Sequence, residues 1–191
     1  DEMGIVGSGK QALPQVAACH AVRPLKELRV FSRNPENRNA FAQAVRNEFD
    51  FEVTACNTLE ETVINAPIVT IVTNATEPFL TADMLSRGTH LNAMGAIVPA
   101  RTEFTDDVFD RADFIAVDNL KTIREMSSEF INHFRENKTS WSKIHSISEL
   151  LRKDIRIMKL SAKKLNIEEF QDKSLLIVDD DDPFRNRLGR A

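Results

Sequence analysis

Gly7, Gly9 and Ala12 stand in the spacing Gly-x-Gly-x-x-Ala, within Gly4-Ile5-Val6-Gly7-Ser8-Gly9-Lys10-Gln11-Ala12. The chemistry this spacing suits is the binding of a pyrophosphate. Gly7 permits a sharp turn, Gly9 removes a side chain where the backbone must approach phosphate, and Ala12 lets a helix lie close to a sheet. The helix start offers free N–H groups and a partial positive charge to the anion. Alone the pattern is weak. Its place after an apolar run and ahead of a helical pattern makes it more specific. Gly7, Ser8, Gly9, Lys10, Gln11 and Ala12 are therefore expected to cradle a dinucleotide. The alternative is a glycine-rich turn with no ligand.

A second apolar run ends in Val30-Phe31-Ser32-Arg33-Asn34. A site selective for NAD usually carries Asp or Glu here, to hold the ribose 2′-hydroxyl. A hydroxyl and a guanidinium stand here instead. Arg33 can form charge-assisted bonds to a 2′-phosphate, so Ser32, Arg33 and Asn34 lead us to expect NADP(H) in preference to NAD(H). If Arg33 only stacks on the adenine, either cofactor is accommodated.

Those residues need a frame. Short apolar runs at residues 3–6, 28–32, 51–55, 68–73, 90–94 and 114–118 read as strands. Helical patterns occupy residues 11–22, 35–49, 59–64 and 106–111. Pro35 suits the first turn of its helix, where its missing N–H is no loss. The β-branched run at 68–73 is the pattern of a strand covered on both faces. Alternating strands and helices predict an α/β, doubly wound, mostly parallel sheet of the Rossmann type with right-handed crossovers. Beyond it we expect one long helix over 121–135, a loop over 137–142, a short helical turn over 146–151 and a basic amphipathic helix over 153–164. No repeat or low-complexity segment is evident.

From here the residues resemble one family, the ornithine cyclodeaminases and mu-crystallins. Gly7-Ser8-Gly9-Lys10-Gln11-Ala12 resembles its phosphate loop. Val72-Thr73-Asn74-Ala75-Thr76-Glu77-Pro78 is similar to its fourth-strand segment. Gly88-Thr89-His90-Leu91-Asn92-Ala93-Met94-Gly95-Ala96 is similar to its fifth-strand signature, followed by Arg101-Thr102-Glu103 and Val117-Asp118. The match runs over about residues 3–150. It implies hydride transfer between a nicotinamide and an amino-bearing carbon, through an imine, in a cytoplasmic homodimer acting on a cyclic imine or amino acid. It adds Thr73, Asn74, Ala75, Asn92, Met94, Gly95 and Asp118 to the expected cofactor contacts. Asp118, ending its strand, could equally cap a helix.

Two departures qualify this. The family's cyclodeaminases carry a catalytic Asp two residues after the fifth-strand Gly, where this chain has Ile97. Isoleucine cannot move a proton, so a reductase or dehydrogenase is expected rather than ornithine cyclisation. The family's N-terminal, substrate-binding part is also not represented, so little turnover is expected of this chain and no catalytic residue is assigned. A non-catalytic, dinucleotide-binding protein like mu-crystallin is the alternative. His90 reads as a satisfied strand histidine before a ligand contact, His133 and His145 as surface residues, and Trp141 as packing for a helix.

The last twenty residues read differently. Leu175-Leu176-Ile177-Val178-Asp179-Asp180-Asp181 resembles the first strand and acidic pair of a response-regulator receiver, in which Asp179 and Asp180 would hold Mg²⁺ if the receiver were complete. The resulting division is residues 1–150 for dinucleotide binding, 151–171 as a helical linker and 172–191 as an incomplete receiver-like tail. Joining such pieces suggests a truncated or fused reading frame, and a fusion with a signalling receiver is a third reading. Residues 175–178 would lack native partners unless they pair with an edge of the dinucleotide-binding sheet, and their ordering would cost ~1–2 kcal/mol per residue. A loosely docked helix and a mobile tail are therefore expected from about residue 152 onward.

Composition fits the rest. With 42% hydrophobic and 28% charged residues the 191-residue chain can build a core. A net charge of −4 argues against a nucleic-acid or membrane-surface binder, which would show a basic face. Cys19 and Cys56 lack metal-ligand spacing and read as buried free thiols.

Overall fold

The computed structural model describes residues 1–95, 98–136, 141–153 and 175–178. Eight strands form one sheet in the order β3-β2-β1-β4-β5-β8-β6-β7. They are β1 (Glu2–Val6), β2 (Glu27–Phe31), β3 (Glu52–Ala55), β4 (Ile68–Ile71), β5 (His90–Ala93), β6 (Phe114–Val117), β7 (Ile144–Ser146) and β8 (Leu175–Val178). Every neighbouring pair is parallel. The expected doubly wound sheet is present. The chain steps from β1 outward to β2 and β3, then crosses to β4 on the other side of β1. That reversal opens a crevice at the C-terminal ends of β1 and β4, the usual ligand position in such sheets.

Helices cover both faces. On one, α1 (Ala12–Val22) and α2 (Pro35–Glu48) bury Ala12, Val16, Phe41, Ala42 and Val45 against Met3, Ile5, Leu28, Val30 and Val53. The opposite face carries α3 (Leu59–Val63), α4 (Asp107–Arg111), α5 (Leu120–Met126) and α6 (Ser128–Glu136). There Val63, Phe109, Ile123, Phe130 and Phe134 pack with Val69, Ile71, Leu91, Ile115 and Val117. All four residues of β4 are buried, as its β-branched run requires. A further helix, α7, spans Ile147–Lys153.

Local chemistry sets the helix starts. Asn34 Oδ1 accepts from Asn37 N, 3.0 Å away, and Pro35 follows in the first turn. Thr58 and Glu61 form a reciprocal capping box at α3. Asn119 Oδ1 accepts from Lys121 N and Thr122 N at α5.

Three expectations need correction. The single helix over 121–135 is two, broken at Ser127. Its N–H still bonds Ile123 O, but its backbone is extended, its carbonyl accepts from Ile131 N, and its hydroxyl donates to Glu129. One serine thus closes α5 and opens α6, as serine favours. Next, β7 starts at Ile144, between the loop expected over 137–142 and the helical turn expected from 146, where no strand was expected. At three residues it carries no period to detect. The largest correction concerns the tail. Residues 175–178 are not without partners: as β8 they lie between β5 and β6, with Leu175 opposite both His90 and Phe114 and Val178 opposite Ala93 and Val117. β5 and β6 are not neighbours, so β8 fills a slot that the rest of the sheet leaves vacant. Backbone pairing on both sides offsets the ordering cost expected of this strand. The expected basic helix at 153–164 and the Asp179–Asp180 pair lie outside the described residues. Among those residues, no group of acidic, His or Cys side chains could hold a metal.

Candidate dinucleotide site

Gly7 follows β1 with φ +115°, a conformation that disfavours a side chain. Its N–H donates to Phe31 O at 2.8 Å. An added Cβ would lie 2.3 Å from Val72 O, so β4's continuation passes directly beside it. Gly9 is different. Its φ is not positive, and nothing lies within 4 Å of where its Cβ would be. Neither backbone strain nor packing within the described residues explains a glycine there. Ala12 is fully buried at the start of α1, and its N–H donates to Gly9 O at 3.0 Å. No side chain caps α1 at Gln11. Ser8 and Gln11 are half-buried and Lys10 is exposed. The motif therefore forms a turn at the mouth of the crevice, leading to a helix start with no side-chain cap.

The β2 end lies beside it. Ser32 is half-buried, and Arg33 and Asn34 are exposed. Asn34 spends its carbonyl oxygen on capping α2. Arg38, which sequence reasoning missed, is buried at the base of this turn. Its guanidinium donates to Ser32 O (3.4 Å) and Asn57 Oδ1 (3.1 Å) and lies 5.9 Å from the Phe31 ring centroid. Its buried Nε has no hydrogen-bond partner among the described residues. Two cations, Arg33 and Arg38, therefore flank one short turn. A signal was available: Arg38 falls one helical turn after the capping Asn34.

On the other side of the crevice, Thr73 follows β4 and Gly95 follows β5. One buried carboxylate joins them. Glu103 Oε1 accepts from Thr73 N at 2.6 Å and Thr73 Oγ1 at 2.7 Å, and Oε2 accepts from Gly95 N at 2.8 Å. Thr73 Oγ1 in turn accepts from Ala75 N at 3.2 Å. A Cβ on Gly95 would meet Thr73 O at 2.4 Å and the Glu103 carboxylate at 2.6 Å. Glu103 has no exposed surface. Burial pushes its pKa up, the bonds from Thr73 and Gly95 pull it down, and nearby Glu129 raises it. The fully accepting geometry is that of the ionised form. Sequence reasoning noted Glu103 only as part of the resemblance.

The remaining expected residues are placed as follows. Asn74 is exposed and Ala75 half-buried in the loop after β4; Met94 is half-buried after β5. Asn92 turns onto the sheet face, where its Oδ1 pairs with His90 Nε2 at 2.9 Å and its Nδ2 donates to Thr70 Oγ1. Burial lowers the His90 pKa, so this relay uses a neutral ring. Asp118 accepts from Asn119 N at 2.6 Å, beside the residue that caps α5. Ile97 lies outside the described residues. His133 is not a surface residue. It is 2% exposed, bonded to Asp106 Oδ1 at 2.7 Å and packed 4.5 Å from Phe109. His145 is half-buried and stacks flat on Phe114. Trp141 packs on Phe134, with Arg124 over its ring. Cys56 is buried and Cys19 half-buried, both as free thiols.

The Ornithine cyclodeaminase/mu-crystallin family profile matches residues 1–152. The chain belongs to the ornithine cyclodeaminase/mu-crystallin family. Among curated members, an ornithine cyclodeaminase of Brucella suis biovar 1 (strain 1330) is 36% identical over 115 residues, 58% of this chain and 31% of the relative. Ketimine reductase mu-crystallin of Rattus norvegicus is 33% identical over 112 residues, 59% of this chain and 34% of the relative. Of solved structures, Thermococcus litoralis Delta(1)-pyrroline-2-carboxylate reductase, in complex with NADH and L-proline, superposes with a TM-score of 0.78 at 22% identity. The alignment covers 95% of this chain and 53% of that one. This likeness establishes the fold. The chain thus spans about a third of the length of these curated members and about half that of this solved structure. No helix among the described residues is long and apolar enough to cross a membrane.

Proposed function

We propose that this chain is the dinucleotide-binding half of a family oxidoreductase that moves a hydride between a nicotinamide and an amino-bearing carbon, through an imine. The observation that carries the reading is Gly9: a glycine whose Cβ would meet no atom of the described residues within 4 Å. A pyrophosphate approaching the backbone supplies the missing reason. Gly7 shapes the turn, the start of α1 offers N–H groups, and Thr73 and Gly95 line the opposite half of the crevice. The substrate class, a cyclic imine or amino acid, comes from the family. So does the setting of a cytoplasmic homodimer whose other part holds the substrate. Isoleucine at position 97 supports a reductase or dehydrogenase over a cyclodeaminase, because it supplies no acid or base. The bound nicotinamide supplies or accepts the hydride. This chain's residues bind and orient it.

NADP(H) is the preferred form in this reading, supported by Arg33 and by Arg38 under the same turn. Arg33→Asp is expected to reverse the order of NADPH and NADH affinities, with at least about a tenfold fall for NADPH, the scale of a lost charge-assisted bond. Fluorescence titration of both cofactors checks this. Equal ratios before and after the change would remove Arg33 from the discriminating role.

A further inference from the structure

We infer that Glu103 is a positioning residue that sets the nicotinamide half of the crevice, by clamping the end of β4 to the end of β5. This rests on the dinucleotide reading above and deepens it.

The argument begins with the two halves of a doubly wound sheet. The phosphate loop follows β1, and the turn after β2 takes the adenosine end. The other half of the crevice, at the ends of β4 and β5, is left for the second nucleotide. Strand pairing fixes β4 against β5 only as far as Ile71 and Ala93, with one further bond from Met94 N to Ile71 O. Beyond that point the two chains leave the sheet, and Thr73 N and Gly95 N have no backbone acceptor to share. Glu103 supplies it. One oxygen takes both donors of Thr73 and the other takes Gly95 N–H. A carboxylate suits this because it is acceptor-only, with room for three donors.

Glu103 is itself held firmly. Its N–H donates to Glu129 Oε1 at 2.9 Å, and its carbonyl accepts from Phe79 N and Leu80 N at 3.0 and 3.1 Å. Those backbone bonds anchor the residue whatever its side chain does. The side chain alone reaches the crevice. The close approach of Gly95 to Thr73 leaves no space for another side chain between them, so the gap has one width. Glu103 touches neither ligand nor reacting atoms in this account; it acts through Thr73 and Gly95.

The neighbouring Glu129 provides a matched control. It is also buried, bonds Glu103 through the backbone, and accepts from Ser127 Oγ. Among the described residues, none of its hydrogen bonds reaches Thr73 or Gly95. Glu103→Gln keeps the shape but must place an amide N–H₂ against either the Gly95 N–H or the Thr73 donors. Glu129→Gln perturbs the same anchor and removes a neighbouring charge, while leaving the Thr73 and Gly95 donors their carboxylate acceptor.

The test titrates the unmodified chain, Glu103→Gln and Glu129→Gln with NADPH, and separately with 2′-phospho-adenosine diphosphate ribose, which lacks the nicotinamide. Glu103→Gln is expected to weaken NADPH about tenfold, the scale of a lost hydrogen bond to a charged group. Its affinity for the truncated ligand should stay within about twofold, and Glu129→Gln should change neither ratio. In the unmodified chain, NMR should show the Thr73 and Gly95 amides shifting with NADPH and not with the truncated ligand, a readout independent of whether the variants fold. Equal losses for both ligands, or equal behaviour of the two variants, would mean Glu103 serves stability alone. Amides that ignore the nicotinamide would likewise overturn the proposal. If the unmodified chain binds neither ligand, the dinucleotide reading itself fails, and the proposal with it.

Discussion

Ile177→Pro is expected to lower the thermal midpoint by roughly 6–12 °C, corresponding to the ~3 kcal/mol or more that proline costs where it removes a required backbone bond. The effect should be large because β8 has a neighbour on each side, with Ile177 opposite Asn92 of β5 and Ala116 of β6. On such a strand there is no solvent-facing edge toward which the missing N–H could point, and proline within sheets is confined to edges for that reason. The damage should also spread. β5 and β6 meet only through β8, so disordering it detaches the pairing of β6 and β7 from the phosphate-loop half and leaves only the helix-packed apolar face to hold them. Thermal unfolding followed by circular dichroism measures the shift. Hydrogen exchange on the unmodified chain should find the amides of Leu175–Val178 protected to the same degree as those of Ile68–Ile71. An unchanged midpoint together with fast exchange at 175–178 would return this strand to the mobile tail that its sequence context suggests.

Gly7→Ala should be strongly damaging. The new Cβ would sit 2.3 Å from Val72 O and 2.9 Å from Val72 C, both backbone atoms that cannot rotate away. The residue also holds φ +115°, where a side chain adds strain of its own. Relief requires β1 and β4 to part at their C-terminal ends, against the bond from Val72 N to Val6 O. Overpacking costs about 1–3 kcal/mol and the strained conformation adds a similar amount. A destabilisation of roughly 2–5 kcal/mol is expected, together with loss of dinucleotide binding. Chemical denaturation of the variant beside the unmodified chain checks it. A change below about 1 kcal/mol would mean that the loop yields more easily than its contacts imply.

The contrast between what was and was not legible in the sequence follows from locality. The phosphate loop could be read because its requirements lie within nine consecutive residues, and the buried strands because a run such as 68–71 declares its burial directly. The helix starts at Asn34 and Thr58 carry their own capping residues. Ser127 was harder: it lies inside an unbroken helical pattern, and its extended backbone and its bond to Glu129 reveal the break. Glu103 and Arg38 act through partners far along the chain, Thr73 at thirty residues' distance and Asn57 at nineteen. No period or spacing announces such a bond. The same holds for His133, whose burial depends on Phe109 and Asp106 from another helix region. β8 failed for a different reason. Its four residues were judged by the acidic run that follows them, whereas the sheet had a vacancy that any apolar strand of that length could enter. Register across a sheet is a tertiary property, and the vacancy cannot be seen before β5 and β6 are placed.

Gly9→Ala tests the central claim most directly, because it separates the ligand from the fold. The added Cβ meets no atom of the described residues within 4 Å and the backbone there is not in a positive-φ conformation, so folding has no reason to object. The thermal midpoint should stay within about 2 °C of the unmodified chain, since alanine at a compatible position is neutral to slightly stabilising. NADPH affinity, measured by calorimetric titration of both proteins, should fall at least about tenfold, because the methyl occupies the space a pyrophosphate needs. Unchanged NADPH affinity in a folded Gly9→Ala protein, or no binding by the unmodified chain, would contradict the account.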